Sequence, residues 1–167
     1  MDKLLGNKFI TRDSEKTFQD LSKDAVITLY FSAHWCPPCK SFTPKYSQVF
    51  NAVNNEEKRR LEVIFVSLDR DQEEMLEYLE SCPFMALPFS DKKRIEYLCR
   101  KFQVTGIPLL VVLNKDGSVA SMDGRGDVMR LREGVVDYWE KLINHPETVT
   151  LEERGGAVSF KRFRIGK

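Results

Sequence analysis

Two cysteines separated by two residues, in the run Trp35-Cys36-Pro37-Pro38-Cys39, carry the chemistry this chain can most directly perform. A strongly apolar run, Val26-Ile27-Thr28-Leu29-Tyr30-Phe31, precedes them, and a segment of helical periodicity follows. The pair therefore sits where a strand turns into a helix. A helix N-terminus carries unpaired backbone N–H groups and a partial positive charge, so a thiolate there is stabilised over the thiol. Lowering a thiol from pKa ~8.5 to ~7 takes about 2 kcal/mol. A second cysteine one turn on can then resolve a mixed disulfide. Pro37 and Pro38 stiffen the loop and remove two N–H donors.

Three chemistries use such a pair: redox exchange, zinc ligation and a structural disulfide. Zinc needs about four N, S or O ligands, and Cys82 and Cys99 do not form a second pair at that spacing. A structural disulfide is disfavoured in a reducing compartment. The redox reading leads, with no metal and no cofactor expected. His34, two residues before Cys36, could add positive charge, or it is an exposed loop histidine. For Lys40 a solvated helix-start lysine is the favoured reading. Cys99 reads as a core residue, and Cys82 as an inert thiol at a helix end.

The rest of the chain must position this pair. Its 167 residues suit one well-buried domain. A formal net charge of +1 provides no global field for nucleic acid. No stretch reaches the ~18 apolar residues of a membrane span, and Met1 to Lys8 lacks the apolar run of a signal peptide. The expected compartment is the cytosol, with the nucleus as an alternative.

Residues 26–31 form the first clear strand, apolar nearly throughout because both faces are covered. Phe42, Tyr46, Val49, Phe50 and Val53 make a helical stripe that Pro44 should kink. Val63 to Leu68 is a second strand, parallel to the first through a right-handed crossover. Asp71 to Ser81 is a helix with Met75, Leu76 and Leu79 inward. Phe84 to Phe89 reads as an apolar connector. Asp91 caps a helix with Ile95, Leu98, Cys99 and Phe102 on one face. Leu109 to Leu113 is a third strand, and Asn114-Lys115-Asp116-Gly117 turns it into an antiparallel return over Ser118 to Met122.

Asp127 starts a last helix with Leu131, Val135, Tyr138 and Leu142 inward, which makes Arg125-Gly126-Asp127 a turn and cap rather than an adhesion motif. Near the N-terminus, Lys8 to Thr11 suits a short edge strand, and Phe18 and Leu21 a short helix. The expected fold class is α/β, a mixed central sheet with helices on both faces, in a domain over residues 1–147. Residues 148–167 form a basic C-terminal tail, either a hairpin or disordered; its Lys161-Arg162-Phe163-Arg164 run reads as solvated.

A strand, then Trp-Cys-x-x-Cys opening a helix, then Ile107-Pro108 before a hairpin, resembles the thioredoxin superfamily. Trp35-Cys36-Pro37-Pro38-Cys39-Lys40, Phe42-Thr43-Pro44, Tyr30-Phe31-Ser32-Ala33 and Leu87-Pro88-Phe89 are similar to its tryparedoxin and nucleoredoxin branch. The resemblance implies a thioredoxin-like fold and a protein-disulfide reductase. Cys36 would attack and Cys39 resolve. Trp35 would shield the site, and Pro108 would be a cis-proline beside which Ile107 pairs with a substrate strand. It also implies disulfide-containing protein substrates and an upstream thiol reductant of the thioredoxin reductase, glutathione or trypanothione type, acting on a monomer. A redox-switched binding module with little turnover is the alternative. Thioredoxin itself has a buried aspartate six residues before its first active cysteine; here that position is Tyr30, so the proton route differs.

Overall fold

The computed structural model describes residues 1–155 and, as backbone, 163–164. Among the described residues one seven-stranded sheet forms the centre, in the order β2 (Glu15–Lys16), β1 (Phe9–Ile10), β5 (Met85–Ala86), β4 (Leu61–Ser67), β3 (Val26–Ser32), β7 (Leu109–Leu113), β8 (Val119–Ser121). The two middle strands, β3 (Val26–Ser32) and β4 (Leu61–Ser67), are parallel and register residue for residue from Val26↔Leu61 to Ser32↔Ser67. Helix α2 (Pro37–Val53) is the crossover between them. Strand β7 (Leu109–Leu113) pairs antiparallel on the other side of β3, and β8 (Val119–Ser121) follows it. The sheet is therefore mixed, as the sequence predicts.

Alternation along these strands sends side chains to two cores. Tyr30, Val63, Phe65, Leu110 and Val112 face one layer, made with α2, α3 (Gln72–Glu80), α5 (Gly124–Leu131) and α6 (Val135–Asn144). Leu29, Phe31, Ile64, Val66, Leu109 and Val111 face the other, with α1 (Asp2–Leu5) and α4 (Lys92–Lys101). With both faces covered, the strands read as continuous apolar runs. Each fully buried Leu, Ile, Val or Phe contributes roughly 1.5–3 kcal/mol of transfer free energy.

Several local expectations shift. In α3 the inward face is Met75, Tyr78 and Leu79, at i, i+3 and i+4; Leu76 lies about 100° round the helix and is exposed. The supposed connector holds β5 (Met85–Ala86), which pairs with β4 and with β1 (Phe9–Ile10). Pro83 and Pro88 bracket it and shorten it to two residues. The outer edge is β2 (Glu15–Lys16), polar and exposed, with no apolar alternation to reveal it. Strand β4 begins at Leu61, because the Glu62 carboxylate is buried against Arg59 and the Ser22 N–H instead of marking a boundary.

The last helix is two helices. Arg132 adopts φ 53°, a left-handed conformation that ends α5, and a short turn leads into α6. Leu131 is exposed as a result, Tyr138 is only half-buried, and the inward stripe is Val128, Val135, Val136, Trp139 and Leu142. The cap of α5 is Asp123, whose Oδ1 accepts from Gly126 N at 3.3 Å, not Asp127. Asp91 holds the cap position of α4, but its side chain pairs with Arg94 Nε at 3.0 Å. Cys99 is half-buried. Helix α2 runs unbroken from Pro37 to Val53 with Pro44 inside it.

At the tail, Leu151 to Gly155 form turns, and Lys141 Nζ meets Glu153 at 2.7 Å. A two-residue strand, β9 (Phe163–Arg164), pairs antiparallel with β6 (Gly106–Ile107). The expectation of a hairpin or disorder in the tail falls, for residues 156–162 and 165–167, outside the described residues.

Candidate active site

The parallel β3–β4 pair brings two strand ends to one edge, and the site is built there. Asp69, just past β4, accepts the His34 N–H on its Oδ1 at 2.7 Å and the Ser67 hydroxyl on its Oδ2 at 2.7 Å. Burial raises the Asp69 carboxyl above the usual range, against the lowering effect of those two donors. Trp35 Nε1 donates to the Leu68 carbonyl at 3.1 Å, and the Arg70 guanidinium lies 6.0 Å from its ring. The loop after β3 is thus tied twice to the segment after β4. The Cys36 N–H closes it by donating to the Ala33 carbonyl at 3.3 Å.

That loop delivers Cys36 as the cap of α2. Pro37 and Pro38 occupy the first two helical positions and have no N–H, so the first free donor is Cys39 N. It points at Cys36 Sγ, 3.3 Å away. A thiolate on Cys36 accepts this same bond as the charged form, and the helix dipole adds to it. The prolines remove two donors and leave one aimed at the sulfur. Cys36 and Cys39 are joined as a disulfide with Cα atoms 5.2 Å apart, and both are fully buried.

The opposite wall is the Ile107–Pro108 bond, which is cis as the resemblance implies. Cys36 Sγ lies 3.8 Å from the Ile107 carbonyl oxygen. Ile107 and the two cysteines belong to one apolar cluster, against which half-buried Trp35 packs. All five residues singled out from sequence, Trp35, Cys36, Cys39, Ile107 and Pro108, come together at this edge.

His34 goes elsewhere: its ring lies beside Tyr78, with 5.6 Å between centroids. Lys40 is exposed. Burial pushes the Cys82 thiol up to about 11 and also raises Cys99, so neither is a ready thiolate near neutral pH. Among the described residues no group of three or more His, Cys, Asp or Glu side chains is placed to hold a metal ion.

Behind the dithiol, Tyr30 does not replace an aspartate as a base. Burial raises its phenol well above the ordinary value, and its hydroxyl lies 2.7 Å from Thr43 Oγ1. Thr43 in turn bonds Tyr78, whose hydroxyl is 3.2 Å from Ser32 Oγ. These hydroxyls tie β3, α2 and α3 together. Asp69 was the residue sequence reasoning missed; its signal was an acidic residue directly following an apolar strand that ends level with the dithiol strand.

Comparison with known proteins agrees with this geometry. A family model described as "Thioredoxin-like" matches residues 24–119, more than half of the chain. The chain is 40% identical to "Probable nucleoredoxin 1" of Arabidopsis thaliana over 157 residues, covering 83% of this chain and 27% of that protein. It is 32% identical to the nucleoredoxin of Danio rerio, covering 94% and 35%. It thus spans about a third or less of the length of these relatives. Among solved structures, a tryparedoxin II from C. fasciculata superposes with a TM-score of 0.72 at 31% identity, over 80% of this chain and 88% of that one. The fold, the placement of the Cys36–Cys39 pair and these relatives agree: the chain belongs to the thioredoxin-like superfamily, in its nucleoredoxin and tryparedoxin branch.

Proposed function

We propose that this chain reduces disulfides in protein substrates through Cys36 and Cys39. The Cys36 thiolate attacks one sulfur of a substrate disulfide; the other leaves as a thiolate and is protonated from solvent. The Cys39 thiolate then attacks Cys36 Sγ in the mixed disulfide, releasing the second substrate thiolate and leaving Cys36–Cys39 oxidised. Two electrons have passed to the substrate, and two thiols of an upstream donor restore the pair. The observation that carries this is the Cys39 N–H aimed at Cys36 Sγ at the start of α2. It favours negative charge on Cys36, the cysteine nearer the Ile107 wall.

In this reading the Ile107 backbone pairs with an extended substrate segment and Pro108 shapes that wall. Trp35 covers one side of the mixed disulfide. A donor of glutathione type fits best among the thiol reductants, since a tryparedoxin II of similar fold (TM-score 0.68, 30% identity) was solved with glutathionylspermidine. The setting is a reducing compartment, cytoplasmic or nuclear, and the acting species is a monomer. Among the described residues no helix is long and apolar enough to cross a membrane.

An insulin-reduction assay with dithiothreitol as donor tests the reading. Activity falls to background in Cys36→Ser. Cys39→Ser accumulates mixed disulfides, visible on non-reducing gels. Wild-type turnover in Cys36→Ser would sink the mechanism.

A further inference from the structure

Strand β6 ends at the cis-proline, and its backbone is the edge that borders the dithiol. A free edge presents unpaired N–H and C=O groups that any extended chain can complete. In this chain that edge is occupied. Gly106 pairs with Arg164 and Ile107 with Phe163, antiparallel, in a two-stranded sheet separate from the central one. The occupant comes from the chain's own C-terminus, beyond the helix that closes the domain. Since Cys36 Sγ lies 3.8 Å from the Ile107 carbonyl, whatever pairs with Ile107 runs directly beside the attacking sulfur. Cys36 is at the same time fully buried, with 0% exposure. A nucleophile for protein disulfides must be reached by its substrate, so the arrangement is a closed one.

We propose that the C-terminal strand Phe163–Arg164 is an intramolecular competitor of the substrate, occupying the β6 edge beside Cys36 until an extended segment of a disulfide-containing protein displaces it. The proposal rests on the disulfide-reduction reading and adds regulation to the same site. The preferred substrate is then one that presents its cysteine on an extended, unpaired segment able to form the antiparallel ladder with Gly106 and Ile107. A small disulfide needs no such ladder.

The test uses the full chain with Phe163→Pro, and separately Arg164→Pro, because one of these two N–H groups faces β6 and proline removes it, and because proline fits poorly inside a strand. In the reduced protein, the rate of Cys36 alkylation by iodoacetamide is followed by mass spectrometry, with Cys82 as the internal control for an intact fold. Cys36 alkylation should rise about fivefold, the scale of one net hydrogen bond, with Cys82 unchanged. The KM for insulin should fall with kcat unchanged. A synthetic peptide of residues 159–167, added to either variant, should restore slow alkylation. Hydrogen exchange on the unaltered chain gives a reading free of mutation: whichever of the 163 and 164 amides faces β6 should exchange more slowly than those of exposed Lys115 and Asp116 in the turn after β7. Wild-type alkylation rates in both variants, or exchange of both amides as fast as those of Lys115 and Asp116, would overturn the competition. That failure is distinct from failure of the reduction reading, which shows as full insulin turnover in Cys36→Ser.

Discussion

The carboxylate of Asp69 accepts the backbone N–H of His34 at 2.7 Å, so the end of β4 fixes the loop that aims Cys36. Asp69→Ala leaves that amide and the Ser67 hydroxyl without their acceptor, at a cost of about 1–3 kcal/mol. Because the loop carries the nucleophile, kcat/KM for insulin should also fall, on the order of tenfold, at temperatures where the variant remains folded. Chemical denaturation and single-turnover kinetics separate the two effects. A variant that loses stability but keeps kcat/KM shows that Asp69 holds the fold and not the aim.

Asp69 also sets a pH dependence. Its carboxyl is raised in the folded chain above the ordinary value of ~3.9, chiefly by burial. Between those two values the native state binds more protons than the unfolded one, so stability falls as pH rises through that window. Above the window the loss is constant. Asp69→Asn should flatten this part of the stability–pH curve measured by urea denaturation. An unchanged slope means another group causes it.

The thiols should react in a fixed order once the protein is reduced. Cys36 has the Cys39 N–H and the start of α2 to stabilise a thiolate. Cys82 is held up to about 11 by burial, and Cys99 is raised for the same reason. Near neutral pH, limiting iodoacetamide should label Cys36 first. Labelling of Cys82 ahead of Cys36 by peptide mass mapping would count against the electrostatic account of α2.

The central strands and the dithiol junction were legible because burial on both faces leaves unbroken apolar runs, and because Cys-x-x-Cys and Ile-Pro are compact local signals. Strands β2 and β5 were not, since two residues give no periodicity. The break at Arg132 was hidden because a non-glycine residue takes the left-handed conformation. The His34–Asp69 bond and the β6–β9 pairing were hidden for another reason: each joins segments far apart in the chain, and the acidic residue after the second strand marks a candidate without naming its partner.

Tyr30 should prove a structural hydroxyl. Its phenol is raised well above 10, so it stays protonated at working pH and does not accept a proton from Cys39. Tyr30→Phe removes one bond to Thr43, which keeps its bond to Tyr78. The expected loss is about 1 kcal/mol of stability. The pH profile of insulin reduction should be unmoved. A shift of its basic or acidic limb in Tyr30→Phe would instead place the phenol on the proton route.

A second buried carboxylate tests how far the site depends on the packing behind it. Asp127 accepts the Trp139 indole N–H at 2.9 Å and the Ser121 hydroxyl at 3.1 Å, and meets Arg130 at 3.2 Å. These bonds lock α5, α6 and β8 together, with Trp139 fully buried beneath. Asp127→Ala strands the indole N–H in an apolar layer, at about 1–3 kcal/mol, which for a chain of this size lowers Tm by roughly 2–12 °C. Asp127→Asn keeps an oxygen for the indole and should lose less. None of these contacts involves the Cys36 loop, so insulin reduction per folded molecule should be unchanged in both variants. A drop in kcat/KM that outlasts full folding would mean that the α5–α6 junction, and not only the β4 end, positions the dithiol.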